Sequence, residues 1–185
     1  MIEIGLIALI GLAGLSLVWF TLKSGISPMP SSRKARRAIL KASEAAGEGS
    51  IIELGSGWGG LLFALARKYP ERQVIGYELS WLPWAFSHLC KTLYRLHKVD
   101  IHRQNFLAAD ISAASLLVCY LFPKGMIDLQ KKLTEEGSNA LLISSTFALP
   151  GCEPMQVSYL DDLYNTPIYV YAEQHPGERT TPHMH

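Results

Sequence analysis

Residues 51–60 read IIELGSGWGG. Aliphatic residues around one glutamate run into a cluster of glycines, the pattern of a short buried strand breaking into a loop. Glycine is required where the chain turns with positive φ or where another group must approach its backbone closely. The next residues, LLFALARK at 61–68, have helical character, and Pro70 marks the end of that helix. Strand, glycine loop and helix in this order set a helix amino terminus beside the loop, where negative charge is favoured.

Outward from this unit the same alternation continues. Pro28 and Pro30 block helix, and Ser31 or Ser32 can cap a helix over 32–46, with Ala35, Ala38, Ile39, Ala42 and Ala46 at helical spacing. Strands are expected over 51–54, 73–79 (QVIGYEL), 100–106 (DIHRQNF), 115–122 (SLLVCYLF) and 139–149 (NALLISSTFAL), and helices over 61–68, 81–98 and 126–134. MQVSYL at 155–160 and PIYVYAE at 167–173 read as two strands joined by the hairpin-length DDLYNT. The fold class is therefore α/β: a doubly wound, mostly parallel, Rossmann-like sheet of seven strands with an antiparallel C-terminal hairpin.

The amino terminus has a different character. Residues 4–22, IGLIALIGLAGLSLVWFTL, carry no charge. As a helix they cover most of a hydrocarbon core of roughly 30 Å. A cleavable signal peptide wants a basic start, whereas this chain begins Met1-Ile2-Glu3. The expected layout is a transmembrane anchor over 1–23, a linker over 24–31, a folded domain over 32–174 and a flexible tail over 175–185. Lys23, Arg33, Lys34, Arg36, Arg37 and Lys41 follow the apolar run, which predicts a single-pass protein of the cytoplasmic membrane with its domain on the cytoplasmic side.

Composition excludes other classes. The formal net charge is +1, with no basic excess for bulk nucleic-acid binding. Cys90, Cys119 and Cys152 are odd in number and lack C-x-x-C spacing, so neither a disulfide framework nor a zinc site is expected. His183 and His185 lie in the tail.

Two ligand classes use a loop of this kind. Gly55, Gly57 and Gly60 fit the literal G-x-G-x-x-G of a dinucleotide site, and S-adenosylmethionine rests on a similar loop. Glu53, two residues before the first glycine, suits a ligand bearing an ammonium group. Glu78, near the end of the second strand, can accept hydrogen bonds from ribose hydroxyls of either ligand. Ligands in such sheets bind beyond the carboxyl ends of the strands. That selects Gly55, Ser56, Gly57, Trp58 and Gly59 after the first strand, Glu78 and Leu79 after the second, Asn105 and Phe106 after the third, and Tyr120, Phe122 and Pro123 after the fourth. Trp58 and Tyr77 are candidates to line the cofactor site. Tyr120, Phe122 and Pro123 would border the reacting group, and an aromatic, apolar slot there lowers the pKa of an inserted amine by desolvation. Asp110, Glu153, Asp161, Asp162, His88, His97 and His102 lack a partner at telling spacing, so no residue announces itself as a general base.

IIELGSGWGGLLFALA together with VIGYELS resembles the first motif and following acidic strand of class I, seven-strand, S-adenosylmethionine-dependent methyltransferases, over roughly residues 28–173. SPMPSSRKARRAIL at 27–40, GYELSWLPWAF at 76–86 and CYLFPKGM at 119–126 resemble a membrane-anchored protein-lysine methyltransferase subfamily. Its eukaryotic members methylate lysines of the c subunit of ATP synthase and of the adenine nucleotide translocase, and it has many bacterial relatives. The resemblance implies an S-adenosyl-L-methionine cofactor, a protein substrate such as a membrane protein, and Asn105 placed to bond the adenine amino group with Phe106 stacking on the ring. Trp58 departs from the pattern, since subfamily members often carry an acidic residue there. A quinone or lipid acceptor, an NAD-dependent oxidoreductase and a membrane-tethered module without catalysis remain as alternatives.

Overall fold

The computed structural model describes residues 32–172. The uncharged run at 4–22, the linker and the tail over 175–185 lie outside the described residues. Among the described residues no helix is long and apolar enough to cross a membrane.

The chain runs α1 (Arg33–Ala42), β1 (Ser50–Leu54), α2 (Gly60–Lys68), β2 (Val74–Tyr77), α3 (Trp81–Leu93), β3 (Val99–His102), β4 (Ala114–Cys119), α4 (Pro123–Glu136), β5 (Leu141–Ser145), β6 (Gln156–Tyr159) and β7 (Pro167–Tyr171). The seven strands form one sheet in the order β3-β2-β1-β4-β5-β7-β6. The first five are parallel, while β7 inserts antiparallel between β5 and β6. The closing hairpin thus enters the sheet through its second strand and leaves its first at the edge.

Both faces of the sheet are covered, which is why β1 and β4 are mostly apolar rather than alternating, with Glu53 the charged exception. On one face Ile51, Val74, Leu116 and Ile143 meet α1 through Ala35 and Ile39, α2 through Leu62 and Leu65, and α3 through Trp84. On the other, Ile52, Leu54, Leu117 and Leu142 meet α4 through Met126, Leu129 and Leu133. Between β5 and β6 the backbone forms turns in place of a helix. That stretch is tied down where the Leu149 N–H donates to the hydroxyl of the fully buried Tyr171 (2.7 Å).

Several elements are shorter than the apolar runs that announce them. The second strand is Val74–Tyr77 rather than 73–79, the third Val99–His102 rather than 100–106, the fourth Ala114–Cys119 rather than 115–122, and the fifth Leu141–Ser145 rather than 139–149. In β5 the cause is local: pairing with β7 ends at Ser145, and Thr146 turns away with φ 74°. Helix α3 stops at Leu93, not 98, because Arg95 adopts φ 52° just past the cap, a left-handed helix ending. Helix α4 starts at Pro123, not 126; proline at the first helical position loses no hydrogen bond.

Candidate functional site

Register brings the candidate residues to one rim. Leu54 pairs with Tyr77 and with Cys119, Tyr77 with His102, and Cys119 with Ser144. The residues that follow each strand therefore emerge side by side: Gly55, Glu78, Tyr120 and the turn after Ser145.

The glycine loop is built from left-handed backbone. Gly55, Gly57 and Gly59 have φ of 80°, 51° and 76°. The loop is pinned to β2, since the N–H groups of Gly55 and Ser56 both donate to the Tyr77 carbonyl at 2.9 Å. Gly59 caps α2, and a Cβ there would stand 2.6 Å from the Phe63 ring. Ser87, on α3, holds the loop from the other side by donating to the Gly57 carbonyl (3.0 Å).

Two carboxylates lie beneath this loop. Glu78 is buried, and its carboxylate accepts from the Gly57 N–H (2.8 Å) and from the Ser80 N–H (2.6 Å). It thereby ties the loop to the start of α3 while keeping further lone pairs. Glu53 is buried on β1. Burial pushes its carboxyl well above the usual range, the Glu78 charge adds to the rise, and the Leu62 N–H opposes it. Glu53 Oε2 and Ser56 Oγ are buried with no hydrogen-bond partner among the described residues. The unpartnered Glu53 carboxylate oxygen fits S-adenosylmethionine, whose ammonium would supply the donor and the positive charge that it lacks.

Tyr120 leaves β4 at the rim, and Phe122 caps α4. Pro123 is the exposed first residue of that helix, where it fixes the direction in which α4 departs. Phe147, absent from the sequence-based candidates, joins them. Its ring stacks on Tyr120 (centroids 6.4 Å) and tilts against Phe122 (5.7 Å). Thr146 positions it from a positive-φ turn, with the Thr146 N–H donating to the Pro167 carbonyl (2.8 Å) and Ser144 Oγ donating to the Phe147 carbonyl (2.6 Å). Leu121, between the two slot aromatics, packs 3.6 Å from where a Cβ on Gly55 would stand, so slot and loop share a wall. Cys119 supplies no nucleophile, because burial pushes its thiol up to about 12.

The remaining candidates occupy the margins. Asn105 lies beyond β3 in an exposed turn, where its Oδ1 accepts from the Leu107 N–H (3.0 Å), with Phe106 next to it half-buried. Leu79 is exposed. Tyr77 is buried and stacked on His102 (5.5 Å). Trp58 turns to the helical side of the loop, where it meets Phe86 edge-on (5.4 Å). Among the described residues no cluster of His, Cys, Asp or Glu could hold a metal ion.

A family model described as the ANTKMT methyltransferase domain matches residues 53–156. A human lysine N-methyltransferase, named for the C subunit of ATP synthase, is 30% identical over 138 residues, which cover 70% of this chain and 55% of the human protein. The chain thus spans about half the length of that relative. A Saccharolobus islandicus protein named protein-lysine N-methyltransferase is 22% identical over 152 residues, covering 78% of this chain and 91% of the relative. Among solved structures, an RNA methyltransferase from Salinibacter ruber in complex with S-adenosyl-L-homocysteine superposes with a TM-score of 0.71 at 21% identity, covering 84% of this chain and 98% of that one. A precorrin-6y C5,15-methyltransferase from Geobacter metallireducens gives 0.61 at 9% identity, covering 79% and 90%. These two structures share the fold.

Proposed function

The chain belongs to the ANTKMT methyltransferase domain family, within the class I S-adenosylmethionine-dependent methyltransferases, and on that premise we propose that it methylates a lysine side chain of a protein held at a membrane. The observation that carries the lysine assignment is the rim slot of Tyr120, Phe122 and Phe147 beside the glycine loop. The names of the human and archaeal relatives point the same way. The uncharged run at 4–22 and the basic residues after it support an anchored protein whose domain lies on the cytoplasmic side.

Bound S-adenosylmethionine supplies an electrophilic methyl on a sulfonium. The chain's own residues do the rest. Gly55 and Gly57 leave the loop backbone open to close approach. Glu78 holds that loop through Gly57 and offers its remaining lone pairs to ribose hydroxyls. Glu53 places a carboxylate where an ammonium needs one. The aromatic slot orients a long alkyl amine end-on, excludes water and favours the amine's neutral form, which has the free lone pair that attack requires. The proton of the free ammonium leaves to solvent before the amine enters, and attack then forms a methylammonium, whose charge an aromatic face holds by ~0.5–2 kcal/mol.

The test is transfer itself. Wild-type protein incubated with methyl-labelled S-adenosylmethionine and a membrane extract should label a protein band, and mass spectrometry of that band should place the methyl on a lysine. Label confined to lipid extract, or on another residue type, would overturn the assignment.

A further inference from the structure

The face of the domain that α1, α2 and α3 cover carries a cleft, away from the aromatic slot. The cleft, of about 360 Å³, is lined by Trp58, Phe63, Phe86 and Tyr94 together with Arg36 and Arg67. Its walls are aromatic: Trp58 meets Phe86 at 5.4 Å and Phe63 meets Tyr94 at 6.4 Å, both edge-on. Two guanidiniums border it. Arg36 reaches from α1 so far that a Cβ on Gly60 would stand 2.9 Å from its Nη1. Arg67 lies over the Tyr94 ring, 5.8 Å from its centroid. No carboxylate lines the cleft, and neither guanidinium is ion-paired among the described residues. Arg36 also sits at the amino-terminal end of α2, where the helix dipole adds positive potential. Such a cleft is complementary to an anionic head on an apolar body.

Helix α3 extends this character outward. Phe86, Leu89 and Leu93 recur at helical spacing and are 48, 57 and 69% exposed. Contiguous exposed apolar side chains of this kind mark an interaction surface. The exposed Arg33 and Arg37 of α1 add positive charge near the same face. Residues 23–32, between the uncharged run and α1, span at most roughly 35 Å when fully extended, so α1 lies within reach of any bilayer that holds the run.

We propose that the cleft binds the headgroup of an anionic phospholipid and that the α3 stripe rests on the bilayer surface. The lipid phosphate sits between Arg36 and Arg67, its glycerol stem lies against Trp58 and Phe86, and Leu89 and Leu93 enter the interfacial layer. This inference deepens the membrane reading above and rests on it for the domain's proximity to lipid. It adds a second contact that orients the domain.

The test uses the full chain with an environment-sensitive fluorophore at L93C, in a background of Cys90→Ser and Cys152→Ser; Cys119 is buried and does not label. On phosphatidylcholine vesicles containing phosphatidylglycerol the fluorescence should rise several-fold and shift to the blue. On pure phosphatidylcholine it should stay near its value in solution. Arg36→Glu with Arg67→Glu, or high salt, should abolish the difference. If circular dichroism shows that this double variant does not fold, Arg67→Gln at its exposed position should still lower the signal at least threefold. Equal fluorescence on both vesicle types, indifference to charge reversal, or a full response to glycerol phosphate without vesicles would each overturn the proposal. Failure of the anchor is read separately, as failure of the protein to co-float with neutral vesicles.

Discussion

Glu53 lies on β1 and Glu78 directly after the neighbouring β2, in unlike environments. Glu78 is held by two backbone donors, whereas Glu53 is buried without a partner for Oε2. A carboxyl whose folded pKa is raised keeps its proton in the native state after the unfolded chain has ionised. Its contribution to stability is then lost progressively as pH rises from about 4.5, the ordinary carboxyl value, towards the raised folded value. Glu53→Gln should therefore raise the Tm of the cofactor-free protein at pH 8 and leave it unchanged at pH 4, as thermal melts across that range will show. The same variant should weaken S-adenosylmethionine binding by about 1.5–3 kcal/mol, the worth of a hydrogen bond to a charged group. Glu78→Ala strands the Gly57 and Ser80 N–H groups as well, so it should cost about 1–3 kcal/mol of stability in denaturant titrations and remove cofactor binding. Both carboxylates are legible in the sequence, because each stands in an apolar run that leads into the rim. Phe147 is not: an apolar run continuing to Leu149 hides the point at which the backbone leaves the sheet.

At the scale of elements, the glycine loop and the aromatic slot each make a separable prediction. Gly57 has φ 51° with nothing within 4 Å of where a Cβ would stand, so Gly57→Ala should cost only the left-handed penalty of about 1–2 kcal/mol. Gly59→Ala adds the collision with Phe63 and should cost more; urea denaturation of the two variants gives the ranking. In the slot, Phe147→Ala should lower kcat/KM for the acceptor by roughly 10–100-fold, about 1.4–2.7 kcal/mol, with the Kd for S-adenosylmethionine nearly unchanged. Element order and type follow from alternating apolar runs and glycine or proline breaks, and they match the sheet. Element ends do not, for identifiable reasons. Tyr120 and Phe122 are as apolar as the strand before them, and Pro123 reads as a break although it opens α4. Only pairing partners and turn dihedrals, neither visible in a hydrophobic run, set those limits.

The described residues form a methyltransferase sheet with an uneven covering: three helices on one face, and α4 with turns on the other. The parallel order β3-β2-β1-β4-β5 converges its strand ends on the loop, the carboxylates and the slot, while β7, inserted between β5 and the edge strand β6, carries Tyr171 into the second core. On the proposed reading, activity depends on that rim holding S-adenosylmethionine with its ammonium against Glu53. The most direct measurement is calorimetric titration of the full chain with S-adenosylmethionine in buffers of different ionisation enthalpy. It should show one-to-one binding that tightens with rising pH and releases a proton, because the ammonium draws Glu53 into its charged form; no heat at millimolar cofactor, or binding that is unaltered in Glu53→Gln and Glu78→Ala, would contradict it.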